Sequence, residues 1–177
     1  MWRGGRVGAV AGVAVSALLV STIPAAAAPA ATCAVASLRS SPGWTSSSSV
    51  TFSGLGQVRD VNVFVDLSMR GGGGIVLDDL ELSLRSPQGL RTNLAVDDGG
   101  DTELLSGTVF DDEAAADLET GAAPYRGPHR PSGLPLSRFD GFQADGTWTL
   151  LLGGDARSAY VNSWGLDIAN GSNCTAP

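Results

Sequence analysis

Val58–Ser68 reads VRDVNVFVDLS, and its apolar residues fall on every second position. Val61, Val63, Val65 and Leu67 alternate with Asp60, Asn62, Phe64 and Asp66, which predicts a strand with one buried face and Phe64 as the apolar exception on the other. Leu80, Leu82 and Leu84 alternate in the same way with Asp79, Glu81, Ser83 and Arg85. The tetrad Ser86-Pro87-Gln88-Gly89 then places proline second and glycine fourth, as a reverse turn prefers, so the chain doubles back into Thr92–Val96 as a hairpin. Further strands are predicted at Thr147–Leu152, with Trp148, Leu150 and Leu152 on one side, and at Ser163–Ile168, with Trp164, Leu166 and Ile168 on one side. A serine run at Ser46–Ser49 leads into a short edge-like strand at Val50–Phe52. Short strands separated by turn signals, with no helical stripe beyond the N-terminus, predict an all-β sandwich.

The connections carry the remaining composition. Gly71–Gly74 is a four-glycine tip and Asp97–Asp101 reads DDGGD, both patterns of surface loops. The stretch from Glu113 to Ser137, rich in Ala, Gly and Pro, is expected to be an irregular excursion pinned to the sandwich by Leu118, Tyr125 and Leu136. No internal repeat and no second domain are visible.

At the N-terminus Arg3 and Arg6 precede an apolar run from Val7 to Ile23, and the alanines around Ala25–Ala31 offer A-x-A cleavage sites. This is the pattern of a secretory signal peptide, residues 1–28, leaving 29–177 as one exported domain. The apolar part is shorter than the ~20 residues of a membrane-spanning helix. Thr32, ahead of Cys33, is larger than the small residue that lipoprotein processing wants. Cys33 and Cys174 frame the mature chain in an oxidising compartment, so a disulfide joining its ends is the natural reading. Closing so long a loop stabilises by at most roughly 5 kcal/mol. A thiol nucleophile needs a neighbouring base or a C-x-x-C partner, and neither cysteine has one.

The formal charge is −7, with no lysine anywhere, and removal of the signal arginines makes the mature chain more acidic still. Such a surface repels nucleic acid and anionic membrane. The residues for hydrolysis are also thin. The only histidine, His129, lies in Gly127-Pro128-His129-Arg130-Pro131 without a G-x-S-x-G elbow, and reads as a surface-loop histidine. Zinc catalysis wants three ligands drawn largely from histidine and cysteine. Paired acids such as Asp78/Asp79 or Asp111/Asp112 can cleave a glycosidic bond only beside an aromatic-lined cleft. Its candidates are Tyr125, Phe139, Phe142, Trp148 and Trp164, and both tryptophans fall on apolar strand faces.

Calcium is the sharper expectation, because it takes six to eight oxygen ligands that Asp-, Asn- and Gly-dense loops can provide. Asp111, Asp112 and Glu113 are one source, Asp78 and Asp79 a second, and Asp97, Asp98 and Asp101 a third, although none has EF-hand spacing. The alternative is that these acids cap turns and face solvent. Neighbouring side chains on an extended segment point to opposite faces, so Asp111 and Glu113 could share a site while Asp112 does something else.

Five strings in succession resemble the P domain, also called the P/Homo B domain. They are VRDVNVFVDLS at Val58–Ser68, DDLELSLRSPQG at Asp78–Gly89, TVFDDEA at Thr108–Ala114, PLSRFDGFQADGTWTLLL at Pro135–Leu152 and NSWGLDI at Asn162–Ile168, and the resemblance spans about 51–169. That family is known as the module following the subtilisin-like catalytic domain of proprotein convertases, and bacterial versions accompany secreted proteases. The resemblance implies a jelly-roll-like β-sandwich related to galactose-binding-like folds, without catalytic residues of its own, that packs on a serine protease and affects its calcium and pH behaviour. Two departures limit it. Met69 stands where the family strand commonly continues with histidine, and Gly153-Gly154-Asp155 stands where more acidic loops are common.

Two functions follow as expectations. The first is a secreted, non-catalytic module that binds or stabilises a protein partner in trans, a subtilisin-like serine protease or another exported protein, with calcium. The second is a glycan-binding β-sandwich module that uses loop-tip aromatics such as Tyr125 and Phe142.

Overall fold

Valines and leucines on alternate positions leave each strand with an apolar face that must be buried, and two sheets bury them against one another. The computed structural model describes residues 34–40, 46–69, 80–96, 105–122, 124–154 and 159–170. The expected signal segment 1–28, Cys33, Cys174, Gly71–Gly74, Asp78, Asp79, Asp97, Asp98, Asp101 and Asp155 lie outside the described residues. The strands are β1 (Ala34–Ser40), β2 (Ser47–Phe52), β3 (Val58–Met69), β4 (Leu80–Arg85), β5 (Arg91–Val96), β6 (Ser106–Phe110), β7 (Gly127–His129), β8 (Gly146–Gly154) and β9 (Ala159–Asn170). Leu118–Thr120 and Leu136–Phe139 form single 3₁₀ turns.

One sheet runs β1-β9-β3-β6-β7 and the other β2-β8-β4-β5. Apart from the short β7, which joins β6 in parallel, this is four strands facing four with antiparallel pairing, and the chain crosses repeatedly from one sheet to the other. That is the arrangement of a jelly roll. The SPQG tetrad makes the expected turn: Gly89 N–H donates to the Ser86 carbonyl at 3.0 Å, and Gly89 takes φ 85°, a conformation only glycine adopts cheaply.

The core lies between the sheets. Val61, Val63, Val65 and Leu67 of β3, Leu82 and Leu84 of β4, Trp148 and Leu150 of β8, and Trp164, Leu166 and Ile168 of β9 are all buried in it. Phe139 packs edge-on against Trp148 at 5.2 Å, and the Trp148 indole N–H donates to the Ala144 carbonyl at 2.9 Å. The excursion is anchored where expected, since Leu118, Tyr125 and Leu136 are buried.

The structure differs from the sequence reading in its strands and in two polar residues. β1, β6 and β7 are additional strands, paired with β9, β3 and β6 respectively. Asp60 and Asn62, expected on a solvent face, are buried. The reason is position: β3 has β9 on one side and β6 on the other, which places Asn62 opposite Asp167 and Asp60 opposite Ala169.

Candidate functional site

TVFDDEA leaves the core where β6 ends. Phe110 is fully buried, and the three acids then turn across one end of the sandwich. Their roles separate as soon as their hydrogen bonds are followed. The Asp111 N–H donates to the His129 carbonyl at 3.0 Å, and its Oδ1 accepts the Glu113 N–H at 2.7 Å, which makes a tight Asx turn. Asp112 points elsewhere. Its Oδ1 accepts the N–H of Leu136 and its Oδ2 that of Ser137, each at 2.8 Å, so it caps the start of the Leu136–Phe139 turn from 24 residues away.

Two further carboxylates complete this acidic end, Asp60 on β3 and Asp140 at the end of the 3₁₀ turn. Their proximity disfavours the charged forms of two of them. Loss of solvent, the hydrogen bond with Asp111 and the charges of Asp60 and Asp111 raise Glu113 to about 7. Burial, then repulsion from Asp60 and Asp112, raises Asp140 to about 6, with Arg59 pulling the other way. Asp60 and Asp140 were not singled out as site residues in the sequence. Only the fold brings them beside TVFDDEA.

The same bonds show which carboxylate oxygens already have partners. Both Asp112 oxygens and one Asp111 oxygen are occupied by backbone N–H groups, and among the described residues no three acids, histidines or cysteines are grouped to hold a metal ion. Asp78, Asp79, Asp97, Asp98 and Asp101 lie outside the described residues.

The excursion is tied down by a second set of contacts. Arg130 pairs with Asp117 at 2.6 Å and donates to the Ala114 carbonyl at 2.6 Å. The pair pulls the Asp117 carboxyl below its usual range. His129, read from sequence as a surface-loop residue, is buried on β7 instead, only 8 % exposed. Its ring stands edge-on to Tyr125 at 5.8 Å, its Nδ1 lies 3.2 Å from the Gly127 carbonyl, and a Cβ on Gly121 would meet both rings. Tyr125 is likewise buried, at a φ of 50°, so its ring offers no exposed platform to a sugar. Phe142 is 44 % exposed.

At the same end of the molecule, Leu55 N–H donates to Asp145 Oδ1 at 2.7 Å, which holds that carboxyl below its usual range and joins the loop before β3 to the loop before β8.

These features define a jelly-roll β-sandwich with an acid-rich end and a pinned loop excursion. No family model matches the chain, and no curated protein matches it. Solved structures similar to it include two from Aeromonas sobria. The serine protease of Aeromonas sobria matches at 18 % identity and a TM-score of 0.47, over 78 % of this chain and 27 % of that one. The complex of the Aeromonas sobria serine protease (ASP) with the chaperone ORF2 matches at 19 % identity and a TM-score of 0.47, over 82 % of this chain and 28 % of that one. The chain thus spans less than a third of the length of these structures, and similarity at this level carries no argument about what it does.

Proposed function

We propose that this chain is a secreted, non-catalytic module of the P-domain type that binds and stabilises an exported subtilisin-like serine protease in trans. What supports the reading is the placement of the five strings that resemble that family. They fall in order on β3, on β4 and its turn, on β6 and its turn, on the Leu136–Phe139 turn with β8, and on β9. Their apolar residues supply the core. Asp112, Pro87, Gly89 and Asp145 supply the connections between strands.

Calcium belongs to this reading as a structural cation. Calorimetric titration of the calcium-depleted mature chain decides that part: no heat and no calcium-dependent shift in melting temperature would remove it. The docking role is tested by immobilising the mature chain, passing culture supernatant over it, and labelling the captured proteins with a fluorophosphonate probe of active serine hydrolases. A labelled protease that survives heating longer in the presence of the chain is the expected result. Capture of a glycan with no labelled protein would replace this function with carbohydrate binding.

A further inference from the structure

β4 and β5 carry an arrangement that their own stability does not explain. Arg85 and Arg91 are directly opposite each other across the antiparallel pair, so their side chains share the outer face of the sheet. Like charges in that position destabilise a sheet. Arg91 is compensated by an ion pair with Glu81 and donates to Ser83 Oγ at 2.8 Å. Arg85 is exposed and has no acid beside it among the described residues. A third guanidinium, Arg138, reaches over from the excursion and donates to the Arg91 carbonyl, again without an acidic partner among the described residues. In a chain where acids outnumber arginines 18 to 11, three arginines here face one glutamate.

Beside them lies an open groove of about 280 Å³, lined by Glu81, Arg91, Thr92, Asn93, Leu134 and Arg138. Its wall is fixed in place. Ser132 N–H donates to the Leu94 carbonyl and Val96 N–H to Ser132 Oγ, each at 3.1 Å, while Thr92 Oγ1 donates to the Leu134 carbonyl. The Leu94 carbonyl and Val96 N–H of β5 are thereby occupied, so a ligand is read here by side chains rather than added as another strand. Leu134, 60 % exposed, gives the groove an apolar lip.

We propose that this groove, with the Arg85–Arg91 pair at its side, binds an acidic peptide segment in which carboxylates sit next to apolar residues. Guanidinium groups match carboxylates in two-point hydrogen bonds, and Leu134 accepts the neighbouring apolar side chain. A bound carboxylate also relieves the repulsion between Arg85 and Arg91. The acidity of the rest of the chain does not forbid this, because at physiological ionic strength charges farther than about 8 Å away are largely screened. The site goes beyond the docking role proposed above and does not depend on it.

The test is calorimetric titration of the full mature chain with acetyl-Leu-Glu-Leu-Glu-amide, with the glutamine counterpart of that peptide, and with a sulfated disaccharide. Saturable binding of the glutamate peptide alone is expected, weakened about tenfold in Arg85→Gln and in Arg138→Gln. Arg138→Gln also removes a contact to β5, so Arg85→Gln is the cleaner variant. It should melt higher than wild type without ligand while binding the peptide less well, a combination that a purely structural arginine does not produce. Equal binding of the glutamine peptide, unchanged affinity in both variants, or preference for the sulfated sugar overturns the assignment. The supernatant capture above uses no peptide, so the two proposals fail separately.

Discussion

Asp112 and Leu136 are joined by a 2.8 Å hydrogen bond from the Leu136 backbone N–H to the Asp112 carboxylate, across 24 residues of chain. The second oxygen of the same carboxylate takes the next N–H, that of Ser137. One side chain thereby fixes where the excursion returns to the sandwich, and with it the positions of Phe139 in the core and Arg138 on the groove. Asp112→Ala is expected to cost about 1–2 kcal/mol, the range of a lost helix cap, and calcium should not restore it. Urea unfolding followed by tryptophan fluorescence measures this. A loss below about 0.5 kcal/mol would mean that the cap has little energetic weight.

The acidic end makes stability depend on pH in a defined direction. Glu113 and Asp140 have folded-state values raised to about 7 and about 6, above those of ordinary carboxyls, so the folded state holds their protons more tightly than the unfolded chain does. Their contribution is complete below the unfolded values and is lost as pH rises through about 6 to 7. The melting temperature is expected to fall between about pH 5 and pH 8 in the absence of divalent cations, and Glu113→Gln should flatten that fall. Asp117 and Asp145 are lowered and act in the opposite sense, losing their contribution as pH drops towards their own low values. A wild-type melting temperature that rises steadily from pH 5 to pH 8 contradicts the sign.

Ala34 of β1 stands opposite Asn170 of β9 in the same ladder. Cys33 directly precedes the first of these residues and Cys174 follows the second by four positions, so the two chain segments that carry the cysteines start from one end of one strand pair. We therefore expect the oxidised mature chain to show no reactive thiol when unfolded. Reduction should lower its stability by up to about 5 kcal/mol. Two titratable thiols in unreduced, unfolded protein would rule the disulfide out.

Gly133 is held against β5 so closely that a Cβ there would lie 2.5 Å from the Asn93 carbonyl oxygen. The obstacle is backbone and cannot swing aside. Gly133→Ala is expected to destabilise by about 1–3 kcal/mol, as overpacking does, and to weaken acidic-peptide binding by displacing Leu134. Thermal unfolding and the peptide titration read the two effects on one sample. An unchanged melting temperature would show that the excursion can back away from β5.

Much of the sandwich was legible because alternation is local. Val61 to Leu67, Leu80 to Leu84, Trp148 to Leu152 and Trp164 to Ile168 each declare a buried face within a few residues, and the SPQG turn declares its own hairpin. β1 and β7 were not legible. Ala34–Ser40 has weak alternation and Gly127–His129 is three residues long with a proline inside, and both exist as strands only because β9 and β6 offer them an edge. His129 misled for a related reason. Its proline-flanked neighbourhood suggests exposure, but Tyr125 and Gly121 enclose the ring from positions that are near only after the excursion folds back.

The acids of TVFDDEA mark the boundary between the two kinds of information. The sequence by itself determined that three charges follow a buried Phe110, that adjacent ones point apart, and that the domain is a two-sheet sandwich, because each of these rests on covalent geometry and short-range periodicity. The tertiary structure alone decided that Asp112 caps a turn 24 residues away, that Asp60 and Asp140 join Glu113, and that Arg138 meets Arg91 at one groove. Hydrogen bonds and charge interactions depend on distance in space, and for residues this far apart along the chain only the closed fold sets that distance.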